Sequence, residues 1–255
     1  MEDFLLFALV GFLAQIVDGA LGMAYGIISS TVLLSLGVPP ATASASVHAA
    51  EVFTTAASAG SHSINKNVNW KLFAPLALAG AIGGALGAFV LTSIDGDVIK
   101  PFITAYLALM GALILWRAWR GTRARPFPIR FSPPLGLFGG FFDAVGGGGW
   151  GPVVTSSLLG AGADPRKAIG TTNTAEVFVA AATAAAFLAA LVSGHWETAG
   201  LGDLLWSLGG LIAGGVVAAP VAGWMTKVLP LRALTWIVGF VVVALAIWQA
   251  VSLLL

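Results

Sequence analysis

The 255-residue chain contains no cysteine, which removes disulfides, thiolate-ligated metals and iron-sulfur clusters from consideration. Charge is scarce as well: Asp, Glu, Lys and Arg together make up 9% of the residues, against about 25% in an ordinary soluble domain. So few charges cannot coat a water-facing surface. The twelve basic and eleven acidic residues nearly cancel, and no basic run of the kind that tracks a phosphate backbone is present, so a nucleic-acid partner is not expected. What the chain has in abundance is apolar side chains, 58% of the total, with a mean hydropathy of +0.95. Its long apolar stretches, interrupted mainly by Gly and Pro, fit about eight to ten membrane segments. The predicted class is therefore an all-α polytopic membrane protein with the lipid bilayer as its solvent. Glu2 and Asp3 precede the first apolar run, the reverse of the positively charged start of a signal peptide, so that run is expected to stay as a membrane segment.

Ten apolar segments can be marked, five in each half: 4–20, 22–37, 39–61, 70–93 and 97–119, then 133–146, 149–162, 164–192, 203–226 and 230–254. The expected organisation is a first membrane repeat at 1–120, a cytoplasmic linker rich in Arg and Pro at 121–132, and a second membrane repeat at 133–255. The halves match each other. At a constant offset of 125, residues 11–58 lie over 136–183 without a gap, pairing Gly11 with Gly136, Asp18 with Asp143, Gly22 with Gly147, Gly26 with Gly151, Gly37 with Gly162 and Pro40 with Pro165. Ala50-Glu51-Val52-Phe53 recurs as Ala175-Glu176-Val177-Phe178. Apolar helices can align Leu, Ala and Gly by chance, but chance does not readily align two intramembrane carboxylates as well. The chain reads as a duplication.

Charge placement predicts how the copies are oriented. If 4–37 and 133–162 each cross an even number of times, as a re-entrant hairpin or as two spans, the remaining loops alternate sides. One side then receives Lys66, Lys71, Arg117, Arg120, Arg123, Arg125, Arg130, Arg166, Lys167, Lys227 and Arg232, and the other only Lys100. The positive-inside rule makes the first side cytoplasmic. Each half crosses an odd number of times on this count, so the repeats are inverted and both termini face the periplasm. Inverted repeats with interrupted helices recur in alternating-access transporters, with the substrate near the midplane where the repeats meet.

Two sequence devices mark the expected site. The run Asp143-Ala144-Val145-Gly146-Gly147-Gly148-Gly149-Trp150-Gly151-Pro152 cannot continue as one helix, because four glycines lose the most backbone entropy and Pro152 suits the first turn of a new helix. Irregular backbone at membrane depth must be enclosed by protein or line a cavity, so Gly147, Gly148, Gly149 and Trp150 are expected to turn free N–H groups toward an anion. Asp18 to Gly26 is a weaker copy of this device. Gly83, Gly84, Gly87, Gly214 and Gly215 instead read as close helix packing. The second device is the following helix, which opens on Asp164 and Pro165 and carries Thr171, Thr172, Asn173 and Glu176 toward mid-membrane; Ser44, Ser46, His48 and Glu51 hold the matching stretch after Pro40.

Each intramembrane carboxylate costs about 2.5 to 3.5 kcal/mol to insert, so Asp18, Asp143, Glu51 and Glu176 need partners, protons or a functional cavity. A proton-coupling or structural role is expected of them, the structural version being that Glu51 and Glu176 accept hydrogen bonds from the amides freed at the Gly breaks. His48 either carries a coupling proton or is a hydrogen-bonded structural partner of Glu51. No metal is expected, since His48 and Glu51 alone make two ligands, and no cofactor is implied. Tyr25 and Trp150, matched just after the breaks, either wall a pocket or are packed aromatics. Trp70, Trp116, Trp119 and Trp196 read as interfacial anchors.

With these residues in view the chain resembles, over essentially its whole length, the TauE/SafE family of sulfite and organosulfonate exporters, also called the toluene sulfonate uptake permease family. The resemblance rests on a doubled module: the Gly-rich break at Gly146 to Gly151, the helix start Gly162-Ala163-Asp164-Pro165-Arg166-Lys167-Ala168, and the Trp-containing loop Asn67-Val68-Asn69-Trp70. Gly37-Val38-Pro39-Pro40-Ala41-Thr42-Ala43 repeats the helix start, whereas Asp18 to Gly26 lacks a continuous Gly run. The resemblance implies export of a small sulfur-containing anion, such as sulfite or a sulfonate, across the bacterial inner membrane, driven by a proton gradient or by the substrate gradient. The residues independently suggest an anion site made of helix N-termini, Asn173, Thr171, Thr172, Ser44 and Ser46 with Tyr25, Trp150 and His48 around it, and no Lys or Arg near the midplane. A homodimer is left open. Two other classes compete: a cation or metal-ion transporter using Asp18, Asp143, Glu51 and Glu176 as ligands, and an intramembrane enzyme built on Ser44, Ser46 and His48, the latter disfavoured because the cluster lies on one helix and lacks a defined nucleophile with its base.

The topology has a direct test. A reporter fused within 121–130 should read cytoplasmic and reporters at both termini periplasmic; termini on opposite sides would remove the inverted arrangement.

Overall fold

A computed structural model describes residues 2–120, 127–161, 163–196, 201–221, 224–225, 228 and 230–254. Arg123, Arg125, Gly162 and Lys227 lie outside them, as does most of the expected linker. The described residues are helical throughout, without a strand. The first half gives α1 (Glu2–Leu21), α2 (Tyr25–Ser35), α3 (Pro40–Ile64), α4 (Trp70–Thr92) and α5 (Gly96–Arg120). The second gives α6 (Ser132–Gly146), a π-helical turn (Gly151–Thr155) running into the short α7 (Ser156–Gly160), then α8 (Pro165–Val192), α9 (Leu201–Ala218) and α10 (Leu231–Leu254). Each falls on one of the ten apolar segments.

Local chemistry sets most of the boundaries. Pro40 and Pro165 occupy the first turns of α3 and α8, where their missing N–H costs nothing. The Asp164 carboxylate accepts from the Lys167 amide at 2.9 Å, and Asn69 caps α4 through the amides of Lys71 and Leu72. Gly22 and Gly147, matched by the offset of 125, end their helices in the left-handed region at φ 63° and 67°. The first break then forces Ala24 to φ 116°, a conformation a side chain resists. Pro152 also lies in a first turn, where its missing N–H costs nothing, and the chain after the second break widens into a π turn.

Phe4–Leu21, Trp70–Thr92, Gly96–Arg120 and Pro165–Val192 are long and apolar enough to cross a bilayer. Helix α3 is comparably long but rich in Ser and Thr, and it is enclosed: Ser44, Val47, His48, Glu51, Thr54, Thr55 and Ser58 are all buried. The outer helices show lipid-facing side chains, with Leu78, Ile82, Phe89, Phe102 and Leu109 exposed. Trp70, Trp116 and Trp119 are exposed near helix ends as the anchor reading expects, whereas Trp196 is half-buried against Phe187.

Helices α3 and α8 run antiparallel through the centre. Ser58 meets Asn173, while His48, ten residues nearer the start of α3, lies by Phe187. The hairpin helices dock on the other half: α6 lies along α4 in the same direction, and α1 lies along α9 in the same direction. Glycine makes both contacts. A Cβ on Gly83, Gly87 or Gly140 would strike the carbonyls of Leu137, Phe141 or Gly80, and one on Gly214 the carbonyl of Ala8. The close-packing role expected of these glycines is what the structure has. Helices α5 and α10 pair, and Arg232 Nε donates to Ala118 O at 2.9 Å.

The bundle's two ends differ in charge. Lys167 Nζ donates to Lys66 O at 2.7 Å and Val68 O at 3.3 Å, so the start of α8 and the α3–α4 loop share one end with Lys71 and Arg166. At the opposite end Ser93 bonds His195 at 2.9 Å and Lys100 pairs with Asp97 at 3.6 Å.

Gly140→Ala is expected to lower the thermal midpoint in detergent by about 5 °C or more, because the methyl meets backbone. Gly60→Ala, where an added Cβ meets nothing within 4 Å, should leave it unchanged or raise it. Circular-dichroism melts compare the two, and equal effects would remove backbone contact as the reason for glycine at 140.

Candidate functional site at the crossed breaks

The two chain breaks meet in the buried centre. A Cβ on Gly26 would lie 2.8 Å from Gly148 Cα, and one on Gly148 would strike the Ile27 amide and the Gly26 carbonyl carbon, so the segments touch backbone to backbone. Gly147 lies against Ser30, and Gly151 against Met23. Thr155 Oγ1 ties the breaks together, 2.6 Å from Gly22 O and 2.8 Å from Thr172 Oγ1.

The amides of the second break are not free, as the sequence suggested, but occupied. Asp143 Oδ1 accepts from the Gly149 amide at 2.6 Å and the Trp150 amide at 2.9 Å. Asp18 does the same in the first half, accepting from the Tyr25 amide. The structural acceptors are therefore the two aspartates rather than Glu51 and Glu176. Each Asp sits in the last turns of the helix before the break, so its short side chain reaches over the gap to the next helix start, where the dipole also favours a carboxylate.

Each aspartate is held in turn from the other half. His48 Nε2 lies 3.2 Å from Asp143 Oδ2, and Asn173 Nδ2 donates to Asp18 Oδ2 at 3.2 Å. His48 and Asn173 occupy matched positions at the offset of 125, as do the two aspartates. Asn173 also accepts from the Ser58 hydroxyl at 2.6 Å. His48 Nδ1 is 2.8 Å from Ser44 O, and the Ser44 hydroxyl donates to Ala144 O at 2.6 Å. These contacts cross between the halves, which sequence spacing alone could not reveal.

The remaining expected residues separate by role. Trp150 and Tyr25 are fully buried packed aromatics with polar tips tied down: Trp150 Nε1 donates to Thr172 O at 3.0 Å and the Tyr25 hydroxyl to Leu211 O at 3.1 Å. Thr171 Oγ1 accepts from the Asn69 amide at 2.8 Å and holds the α3–α4 loop. Ser46 donates to Thr42 O at 2.6 Å and lines a cavity of about 140 Å³ with Phe187 and Trp196. Glu51 is enclosed, with Oε1 beside Gly26 and neither carboxylate oxygen hydrogen-bonded. Its Oε2 is 4.0 Å from His48 Nε2, and Asp143 completes a cluster whose candidate ligand atoms all lie within 4.8 Å of one another. The two-ligand count that spoke against a metal is thus raised to three by a residue from the other half.

Sequence reasoning passed over Tyr106. Its ring stacks on Phe142, and its buried hydroxyl, without a hydrogen-bond partner, crowds Gly149. With Phe102 and Val145 it lines an apolar cavity of about 150 Å³ beside the second break. Its only sequence signal was its rarity, as one of two tyrosines in the chain.

The cap separates two variants. Asp143→Ala leaves two buried amides unpaired and should cost about 2 kcal/mol or more, whereas Asp143→Asn keeps a carbonyl oxygen for both and should cost about 1 kcal/mol or less. Unfolding in detergent measures the difference; equal losses would deny the aspartate its capping role.

Comparison with known proteins agrees with this architecture. No solved structure matches the chain. A probable membrane transporter protein, YtnM, from Bacillus subtilis (strain 168) is 44% identical over 234 residues, covering 89% of this chain and 76% of its own. A second, the probable membrane transporter protein ORF9 of a Sinorhizobium species, is 31% identical over 143 residues, 55% of this chain and 54% of its own. The family described as Sulfite exporter TauE/SafE matches residues 7–249. This multi-pass helical chain, a membrane transporter rather than an enzyme, belongs to the TauE/SafE sulfite exporter family.

Proposed function

We propose that the chain is a secondary transporter that exports a small sulfur-containing anion, such as sulfite or a sulfonate, across the bacterial inner membrane by alternating access between two inverted repeats. The repeats are 1–120 and 133–255, joined by a cytoplasmic linker at 121–132, with both termini periplasmic. The antiparallel course of α3 and α8, the matching helices of the two halves, supports inversion, and the basic end formed by Lys66, Lys71, Arg166 and Lys167 supports the orientation.

The observation that carries the anion reading is the Asp143 carboxylate on the Gly149 and Trp150 amides. A buried helix start that holds one oxyanion is built to hold another. In transport the substrate's oxygens take the place of the tethered carboxylate at Gly147, Gly148, Gly149 and Trp150. Ser44, Thr172 and Asn173 supply hydroxyl and amide groups around them, with His48, Tyr25 and the two glutamates enclosing the site, while Thr171 and Ser46 are turned away to the α3–α4 loop and to the cavity beside Trp196. The printed description of the family, a sulfite exporter, supports the substrate class and direction.

Proteoliposomes loaded with labelled sulfite or sulfoacetate test this reading. Efflux should exceed that of empty liposomes and of carboxylate-loaded controls, and an inward proton gradient should raise the initial rate. Absence of flux for every sulfur anion, together with flux of a divalent cation, would replace the reading with cation transport.

A further inference from the structure

Glu51, His48 and Asp143 form a group that the capping scheme does not explain. Asp18 is satisfied by a neutral amide from the other half, Asn173, which in turn bonds Ser58. Asp143 meets an imidazole, His48, in the matching place, with Glu51 beside it where the other copy carries Glu176. His48 Nδ1 is 2.8 Å from Ser44 O, a carbonyl that can only accept, so Nδ1 carries its hydrogen and Nε2 faces the carboxylates. This is the arrangement that fixes a metal-binding histidine, whose far nitrogen is anchored on backbone. Asp143 is oriented equally firmly: Oδ1 is held by two amides and Oδ2 is left pointing at Nε2. Glu51 supplies the independent sign. It is 1% exposed, and both its oxygens lack a hydrogen-bond partner while Oε2 lies 4.0 Å from Nε2. Two buried carboxylates converging without Lys or Arg call for a cation between them.

We propose that His48 Nε2, Glu51 and Asp143 Oδ2 bind one divalent transition-metal ion of the zinc class where the two halves cross. One imidazole with two carboxylates suits zinc, cobalt or manganese better than calcium or magnesium. Bonds of about 2.0 to 2.2 Å place tetrahedral ligand atoms about 3.4 Å apart. The His48–Asp143 separation of 3.2 Å already fits, and the three ligand atoms, all within 4.8 Å of one another, close on one ion with a shift of Glu51 by about 1.5 Å. Three protein ligands leave a fourth position open, as in zinc sites that bind an exchangeable group. That position would take one oxygen of the transported anion while its others replace Asp143 Oδ1 on the amides, Asp143 then holding the ion through Oδ2 alone; the ion supplies the positive charge the anion site otherwise lacks, a step that rests on the function proposed above.

The test uses the purified full chain in detergent, stripped with a chelator and titrated with zinc by calorimetry and with cobalt by visible absorption, both without anion. One ion per chain is expected, with a cobalt d–d spectrum of low coordination number. His48→Asn installs the residue the second half carries at 173, and Glu51→Gln keeps the side chain's shape, so both should fold, as a melting curve checks. Each should weaken zinc at least 10-fold, the loss typical of disturbing such a site. No saturable zinc binding, or affinity unchanged in both folded variants, overturns the proposal and leaves a proton shared by His48 and Asp143 in its place. Sulfite titrated into the zinc-loaded protein then separates the two readings: zinc bound without sulfite upholds the metal site and removes the anion assignment.

Discussion

Everything at the centre of this protein depends on finding partners for a handful of peptide groups that have left a helix at membrane depth. An unpaired amide there has no water to turn to. Two aspartates answer the need, each reaching from the end of one helix to the start of the next, and each is steadied from the opposite half by His48 or Asn173. Crossing the halves follows from this. The hairpins dock on foreign helices, α6 on α4 and α1 on α9, through glycines that bring carbonyls within touching distance. The exposed apolar side chains of the outer helices suit contact with lipid.

Much of this was legible from residue patterns. Hydrophobic runs bounded by Gly and Pro located the helices to within a few residues, because in a bilayer the solvent imposes helix on any apolar run of sufficient length. The helix start at Asp164 and Pro165 followed from side-chain chemistry at fixed spacing, whereas the Asn69 cap on α4 is a finding of the structure. The glycine stripe of α4 followed from the need for close approach. Trp196 sits just beyond the end of α8 as expected but is half-covered by Phe187, a contact that spacing does not report.

The partners of the polar core were harder to read. Glu51 and Glu176 look the natural acceptors for the broken helix, since both lie deep and both follow a helix start. The aspartates won because they are only six or seven residues from the amides they cap, and a short side chain spans that gap. Contacts such as His48 with Asp143, or Ser58 with Asn173, join residues about a hundred positions apart, and no periodicity reports them. The doubling did carry the information in another form. Once one aspartate is seen to pair across the halves, the offset of 125 identifies the other, and the exchange of His48 for Asn173 becomes one place where the copies differ in chemistry.

The contact between Gly26 and Gly148 has a consequence for how these positions respond to change. Their backbones occupy one shared volume, so a side chain added at either residue claims the same space. A methyl at the first forces the segments apart, and a methyl at the second contends with the first for that space and with its own φ of 154°. The two substitutions therefore do not add, although the residues lie more than a hundred positions apart in the chain. For this protein the crossing behaves as a single steric locus written in two places.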